Sequence, residues 1–214
     1  MSRLMRTATA LERRGRAAKP RSRLPGLWLV TDPARTPDPT AAASRLPRGA
    51  GVIYRSFGAA GALETARALK RIAARRGLVL LVGADADLAA AAGADGVHLP
   101  ERMMARAPAL RRAHPRWRIT TAAHGRPALL RAARLGVDAV LVSAVFDSHS
   151  PSAGPPLGPI RFAALIRGVR TPVIALGGIN ARTAPRLIGA GASGLAAVEA
   201  LAVRNDLESE GFRT

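Results

Sequence analysis

The sequence predicts a single (β/α)8 barrel, or TIM barrel, and three observations lead to this fold class. Short apolar strands alternate with amphipathic helices, and eight such strands can be counted along the chain. Gly-marked turns recur between a helix and the next strand, which is typical of a parallel sheet covered by helices. The 214 residues, 48% of them hydrophobic, are enough for one sizeable core. An open, doubly wound sheet is the alternative.

The strands are apolar runs without alternation, as expected for strands that are covered on both faces. We predict them at 27–31, 51–55, 78–82, 96–99, 118–122, 139–143, 173–176 and 194–198. Residues 62–75 show the helical pattern best, because Leu63, Leu69 and Ile72 share one stripe while charged residues face outward. Gly77 is expected to end this helix.

The chain begins with a basic, Arg-rich segment, residues 1–24, which we expect to be a flexible tail. The barrel is then expected to occupy residues 25–214. The chain has no cysteine, which excludes disulfides and thiolate sites and favours the cytoplasm as its location. Since no apolar run approaches about 18 residues, no membrane span is expected.

The formal net charge of +19 raises nucleic acid as a partner. The composition weakens that interpretation, because aromatic residues make up only 3% of the chain and offer few platforms on which bases could stack. A solvated, arginine-covered surface is the simpler interpretation, and nucleic acid is not expected as a partner. The sequence is compatible with a homo-oligomer but does not establish one.

Residues 171–201 have the pattern of a phosphate site. A strand ends at Gly177-Gly178, which exposes backbone N–H groups, and Asn180 follows in a position suited to capping a helix. The next strand ends in a similar turn. Two adjacent strand ends of this kind bind phosphate in many (β/α)8 barrels. We therefore predict phosphate contacts at Gly177, Gly178, Ala197, Val198 and Glu199.

Several motifs together resemble the thiamine phosphate synthase and thiazole tautomerase superfamily. They are LVTD at 29–32, GADGVHL at 93–99, VFDSHSPSAGPPLG at 145–158, ALGGIN at 175–180 and GAGASGLAAVEAL at 189–201. The resemblance implies a (β/α)8 barrel that joins a thiazole phosphate to hydroxymethylpyrimidine diphosphate with release of pyrophosphate. It also implies magnesium as the cofactor of the synthases, whereas the tautomerases isomerise a thiazole carboxylate phosphate.

The resemblance assigns roles to several polar residues. Arg55 matches the arginine that grips diphosphate, although the lysine that usually follows is absent. Ser148 and Ser150 keep the hydroxyl groups of the phosphate-binding loop after the sixth strand. His124 corresponds to a histidine common in the superfamily, for which catalysis and structural support are both open. For His98 we favour a packed structural role.

The residues that normally hold magnesium are largely replaced. Gly83-Ala84, followed by Asp85 and Asp87, stands where the resemblance implies an Asn-Asp pair. Asp85 and Glu101 are therefore weak candidates for metal ligands. Arg102 lies on the loop that usually supplies the second carboxylate. A guanidinium there could bind diphosphate in place of the metal, since it contacts phosphate oxygens bidentately. His149, on the long loop 146–158, is a second candidate for diphosphate contact.

Glu199 replaces the serine usual in the family and brings a carboxylate beside the predicted phosphate site. This is unfavourable unless an arginine compensates or the side chain turns outward.

Three functions therefore remain open. The first is a thiamine phosphate synthase with altered use of cations, and the second is a non-catalytic barrel that binds a phosphorylated ligand of the same pathway. The third, a nucleic-acid-associated protein, rests on charge alone.

Overall fold

The computed structural model describes residues 3–15, 24–148 and 154–202. Within these ranges eight parallel strands pair in chain order, and β8 pairs with β1 to close the barrel. The strands are β1 (Leu27–Val30), β2 (Gly51–Tyr54), β3 (Val79–Gly83), β4 (Gly96–Leu99), β5 (Arg118–Ala123), β6 (Ala139–Val142), β7 (Val173–Ala175) and β8 (Gly194–Ala197). The predicted (β/α)8 barrel is confirmed, and each predicted strand end lies within one residue of the observed one.

Helical segments follow each strand on the outside of the barrel. They are α2 (Pro39–Ser44), α3 (Ala62–Arg76), α4 (Ala86–Ala91), α5 (Ala107–Ala113), α6 (Arg126–Arg134), α7 (Gly158–Ile166), α8 (Glu199–Ala202) and the 3-10 helices Glu101–Arg106 and Ala184–Leu187, while α1 (Arg3–Gly15) precedes β1. No helix in the described ranges combines the length and apolar character that crossing a membrane requires.

Two apolar cores hold the barrel together. The inner core fills the barrel itself with side chains from the strands; its fully buried members are Trp28, Val30, Ile53, Leu81, Ala139, Leu141, Ile174 and Ala196. The outer core packs the helices on the sheet. Trp28 is completely buried and donates its indole N–H to the carbonyl oxygen of Pro25 at 2.7 Å. A Cβ on Gly51 would lie 2.2 Å from the Trp28 ring, so glycine is required there for close packing.

The recurring helix-to-strand turns have a structural explanation at the N-terminal end of the barrel. Asp95, just before β4, accepts the backbone N–H of Leu80 at 2.8 Å and pairs with Lys70 at 2.7 Å. Asp138, just before β6, accepts the N–H of Ile119 at 2.7 Å in the same manner. Each carboxylate thus ties the start of one strand to the neighbouring strand, which identifies these motifs as structural.

The start of the chain differs from the predicted flexible tail. Arg3–Gly15 forms α1, an amphipathic helix that contacts β8, β1 and the 3-10 helix Ala184–Leu187. Leu4, Ala8 and Leu11 are buried in the outer core. The prediction of a tail rested on the charge of the arginines. The apolar positions spaced three and four residues apart determine how this helix packs. Residues 16–23 of the predicted tail lie outside the described residues.

The helix predicted after Asn180 is also shorter than expected. Only Ala184–Leu187 is helical, in a 3-10 turn, and Ile188 is 47% exposed rather than part of an apolar helix face. Helix α1 packs beside this short turn and so covers part of the barrel that a longer helix would otherwise protect.

Truncating Leu11 tests whether α1 belongs to the folded core. Leu11 is only 1% exposed, so Leu11→Ala should lower the free energy of unfolding by about 2–5 kcal/mol through lost burial and a cavity. The exposed Thr9→Ala in the same helix is the control and should change it by less than about 0.5 kcal/mol. Urea unfolding measures both; equal stabilities of the two variants would show that α1 is not part of the core.

Candidate active site

A cavity of about 740 Å³ opens at the C-terminal ends of the strands. Most residues predicted for the site line it together: Arg55, Asp85, Arg102, His124, Ser148, Gly177, Gly178, Ala197, Val198 and Glu199. Glu101 is not part of this lining. Ser150 and His149 lie outside the described residues. The barrel topology therefore brings the residues predicted to bind phosphate and diphosphate to one cavity, as expected for a (β/α)8 enzyme.

A carboxylate just after β1 organises the arginines of the cavity. Asp32 Oδ2 accepts from Arg35 Nη2 at 2.9 Å and from Arg55 Nη2 at 3.2 Å, so one oxygen joins two guanidinium groups. Arg55 is also fixed by its Nε, which donates to the carbonyl oxygen of Thr31 at 2.7 Å. Charge-assisted bonds of this kind are stronger and more directional than neutral ones. The two arginines are therefore held in place before any ligand binds.

The electrostatics of this cluster agree with its geometry. The hydrogen bond from Arg35 holds the pKa of Asp32 below its usual value, and Asp32 in turn raises the pKa of Arg35. Burial lowers the pKa of Arg55, partly offset by Asp32. Arginine nevertheless stays charged in proteins because its ordinary pKa is so high. Asp32 thus stabilises two cations in a partly buried site.

Glu199 is compensated by an arginine, one of the two outcomes that the sequence left open. Glu199 Oε1 lies 3.7 Å from Arg35 Nη1, so a single guanidinium faces Asp32 with one amino group and Glu199 with the other. The cluster runs from β2 through β1 to the start of α8.

The Gly177-Gly178 turn after β7 has the open backbone of an anion site. Neither glycine donates its N–H to any acceptor among the described residues. The turn is braced from behind, because the Thr183 hydroxyl donates to the Gly178 carbonyl oxygen at 2.8 Å and Asn180 Oδ1 accepts the Thr183 N–H at 3.1 Å. These N–H groups are thereby oriented without an intramolecular partner, which suits phosphate.

The reason for glycine at 178 is packing as well as ligand access. Gly178 has a φ of +62°, and a Cβ there would lie 2.3 Å from the Asp147 carbonyl oxygen and 2.7 Å from Phe146 Cβ. The loop after β6 therefore rests directly on this turn. Substituting Gly178 would displace that loop before it blocked a phosphate, so the simpler explanation by ligand access alone is incomplete.

His98 lies inside the barrel at the base of the cavity. Its Nδ1 is 3.0 Å from the hydroxyl of Thr120 on β5, and burial together with the nearby Arg55 lowers the pKa of His98 to about 3. The imidazole is therefore neutral at physiological pH. This agrees with the packed role favoured from the sequence, but it also gives the cavity a neutral hydrogen-bonding group.

The acidic residues expected near magnesium are engaged elsewhere. Glu101 Oε2 accepts the backbone N–H of His124 and lies 2.8 Å from His124 Nδ1. Asp85 caps α4 by accepting the Leu88 N–H at 2.8 Å. The described part of the chain contains no group of three or more His, Cys, Asp or Glu side chains that could hold a metal. Magnesium in proteins is usually held by one or two carboxylates together with waters and substrate phosphates. Of the two candidates, Asp85 lines the cavity, and one of its oxygens already accepts the Leu88 N–H.

Gly83, at the end of β3, packs closely against Arg55. A Cβ on Gly83 would lie 3.0 Å from Arg55 Cγ and 3.3 Å from the Tyr54 carbonyl oxygen. A larger side chain there would therefore press on the arginine that Asp32 holds.

Sequence reasoning missed four residues of the site. Arg35, Phe57 and Arg106 line the cavity, and Asp32 holds the arginines from behind. Asp32 stood in the LVTD motif at the end of the first strand, with Arg35 three residues later. That position and spacing were the available signal, since acidic and basic residues three apart in a turn commonly pair.

The neutral state of His98 makes stability depend on pH. The pKa of His98 is about 3 when folded and near 6.5 when unfolded, so the unfolded chain takes up this proton first as the pH falls. The neutral His98 therefore stabilises the folded protein fully above about pH 6.5. As the pH falls from 6.5 towards 3, the free energy of unfolding should decrease by up to about 1.4 kcal/mol per pH unit. Urea unfolding between pH 4.5 and 7.5 should show a shallower pH slope for His98→Gln; an unchanged slope would contradict the assignment.

Comparisons with known proteins identify the family of the chain. The sequence model of the family described as "Thiamine monophosphate synthase" matches residues 27–201. A putative thiamine-phosphate synthase of Geobacter sulfurreducens is 39% identical over 140 residues, covering 65% of this chain and 66% of that protein. The thiamine-phosphate synthase of Alcanivorax borkumensis is 33% identical over 197 residues, covering 89% of this chain and 91% of that protein.

Solved structures show the same fold. The thiamine phosphate pyrophosphorylase from Pyrococcus furiosus superposes with a TM-score of 0.72 at 22% identity, covering 84% of this chain and 88% of that one. Since the family match spans most of the chain, the chain belongs to the thiamine monophosphate synthase family of transferase enzymes, as its motifs predicted.

Proposed function

We propose that this protein joins a thiazole phosphate to hydroxymethylpyrimidine diphosphate and that arginines, rather than a carboxylate-bound magnesium ion, supply the positive charge. The observation that carries the proposal is the cavity with Arg35, Arg55, Arg102 and Arg106 in its lining, while the candidate metal carboxylates are bound to other groups. Family membership supports the reaction. We also propose that the protein acts in the cytoplasm, as expected from the sequence.

In this reaction the charge that must be stabilised develops on the leaving group. A C–N bond forms between the thiazole nitrogen and the methylene carbon of the pyrimidine, and the C–O bond to the diphosphate breaks. Pyrophosphate leaves with the electron pair of that bond, so negative charge develops on its oxygen. Cations already aimed at that oxygen stabilise the transition state more than water can, because they need no reorganisation.

The diphosphate end of the site is assigned to Arg55 and Arg102. Arg55 is held by Asp32 and Thr31, so its orientation is set in advance. Arg102 lines the same cavity, and no hydrogen bond or ion pair joins it to another described residue. Two guanidinium groups can each bind diphosphate oxygens bidentately, which is the role that a metal and a lysine would otherwise share.

The thiazole phosphate is assigned to the cradle formed by Gly177-Gly178 and residues 197–199. Gly177 and Gly178 line one part of this cradle, and residues 197–199, at the end of β8, line another. His98, neutral in the base of the cavity, can donate or accept a hydrogen bond but does not add a positive charge to the bound pair of substrates.

His124 and Ser148 complete the proposed site. His124 Nδ1 is bound to Glu101, which leaves Nε2 as the nitrogen that can meet a ligand at the cavity mouth. Ser148, on the loop after β6, lines the cavity. Ser150 and His149, assigned to phosphate and diphosphate from the sequence, remain proposals on that same loop.

A non-catalytic barrel that binds a phosphorylated ligand is the second candidate. The braced Gly177-Gly178 turn favours it, because the phosphate cradle is kept while the magnesium ligands are lost. The two candidates differ in turnover and not in phosphate binding.

Arg102→Ala should lower kcat/KM at least about 100-fold, because one cation aimed at the leaving group would be lost. Arg71→Ala, on the outer face of α3, is the matched control and should retain activity. In the unmodified protein, EDTA should change the rate of pyrophosphate release less than about twofold. Coupled detection of pyrophosphate measures all three.

Brisk activity that EDTA abolishes and magnesium restores would overturn the arginine-based mechanism. Absence of turnover together with retained phosphate binding would establish the binding barrel instead.

A further inference from the structure

We propose that Arg35 is a phosphate-binding residue and that Glu199 faces its guanidinium as an internal anion, which the phosphate of the ligand displaces. The inference rests on the proposed function for the identity of the ligand, a phosphomonoester. It adds Arg35, which follows β1, to the residues that bind phosphate. It also gives a role to the Glu199 carboxylate, whose negative charge would otherwise oppose phosphate binding.

The two amino groups of Arg35 have different partners. Nη2 is 2.9 Å from Asp32 Oδ2, within hydrogen-bond distance, whereas Nη1 is 3.7 Å from Glu199 Oε1, beyond it. Asp32 therefore anchors the guanidinium, and Glu199 makes the looser contact. An incoming anion can replace the looser partner while the anchored one keeps the side chain in place.

The location of this contact is the phosphate cradle itself. Glu199 follows β8 directly, and Val198, Glu199 and Ala200 all line the cavity together with Gly177 and Gly178. Because β1 pairs with β8, Arg35 reaches this end of the barrel from the neighbouring strand. Arg35, which faces Glu199, is thus positioned to contact a phosphate in the same cradle.

Charge decides the exchange. A phosphate dianion and the Glu199 carboxylate repel each other if both remain beside Arg35, and the repulsion grows as the site is closed to water. The Glu199 side chain is 46% exposed, whereas that of Arg35 is 18% exposed and anchored by Asp32. Displacement of Glu199 removes the repulsion and frees Nη1 of Arg35 for a phosphate oxygen.

Titration calorimetry with inorganic phosphate tests this exchange at fixed ionic strength. Glu199→Gln keeps the side-chain shape but removes the competing charge, and it should tighten phosphate binding at least fivefold. Arg35→Ala should weaken binding at least tenfold, with Arg35→Lys intermediate because lysine lacks the forked geometry. Asp87→Asn removes another carboxylate of the cavity lining that does not contact Arg35, and as the matched control it should change affinity less than twofold.

The double variant separates exchange from a general change in charge. In the Arg35→Ala background, Glu199→Gln should lose most of its fivefold gain, since the cation for which the two anions compete is absent. Unchanged or weaker binding by Glu199→Gln, or a gain that persists without Arg35, would overturn the inference. These readouts need no turnover, so an inactive protein would refute the proposed reaction without deciding this exchange. Normal turnover with no effect of Glu199→Gln would refute only the exchange.

Discussion

The hydrogen bonds that converge on Asp32 are the interaction on which the candidate site depends. One carboxylate oxygen accepts from two arginines, and one of those arginines continues to Glu199, so the ends of β2, β1 and β8 are joined electrostatically. A barrel supplies the strand ends, but it does not by itself orient long, flexible side chains over them. Asp32 does so and reduces the rotamer freedom that a ligand would otherwise have to restrict.

Two positions that differ from the pattern expected from the family resemblance lie beside arginines. Gly83 packs against Arg55, whose Cγ would lie 3.0 Å from an added Cβ, and Glu199 lies 3.7 Å from Arg35. Arg55 is the arginine that the resemblance already predicts, so it does not compensate for the residue at position 83. The proposed arginine-based mechanism therefore rests on the guanidinium groups that line the cavity.

The sequence predicted the barrel well because its signals are local and repeated. Apolar runs such as 139–142 and the glycine-marked turns before β4 and β6 depend on near neighbours, and the strands appear within one residue of their predicted ends. Helix α1 was missed because its arginines suggested a solvated tail, while its contact with β8 and β1 is long-range. Arg35 was missed because only barrel closure brings it to Glu199.

Binding of inorganic pyrophosphate to Asp32→Asn tests the central role of Asp32 most directly. The substitution removes a negative charge near the cavity, so long-range electrostatics alone would make an anion bind more tightly. If Asp32 instead acts by holding Arg35 and Arg55 in position, pyrophosphate should bind more weakly to the variant than to the unmodified protein, with the melting transition retained. Binding that is equal or tighter in the folded variant would contradict this account.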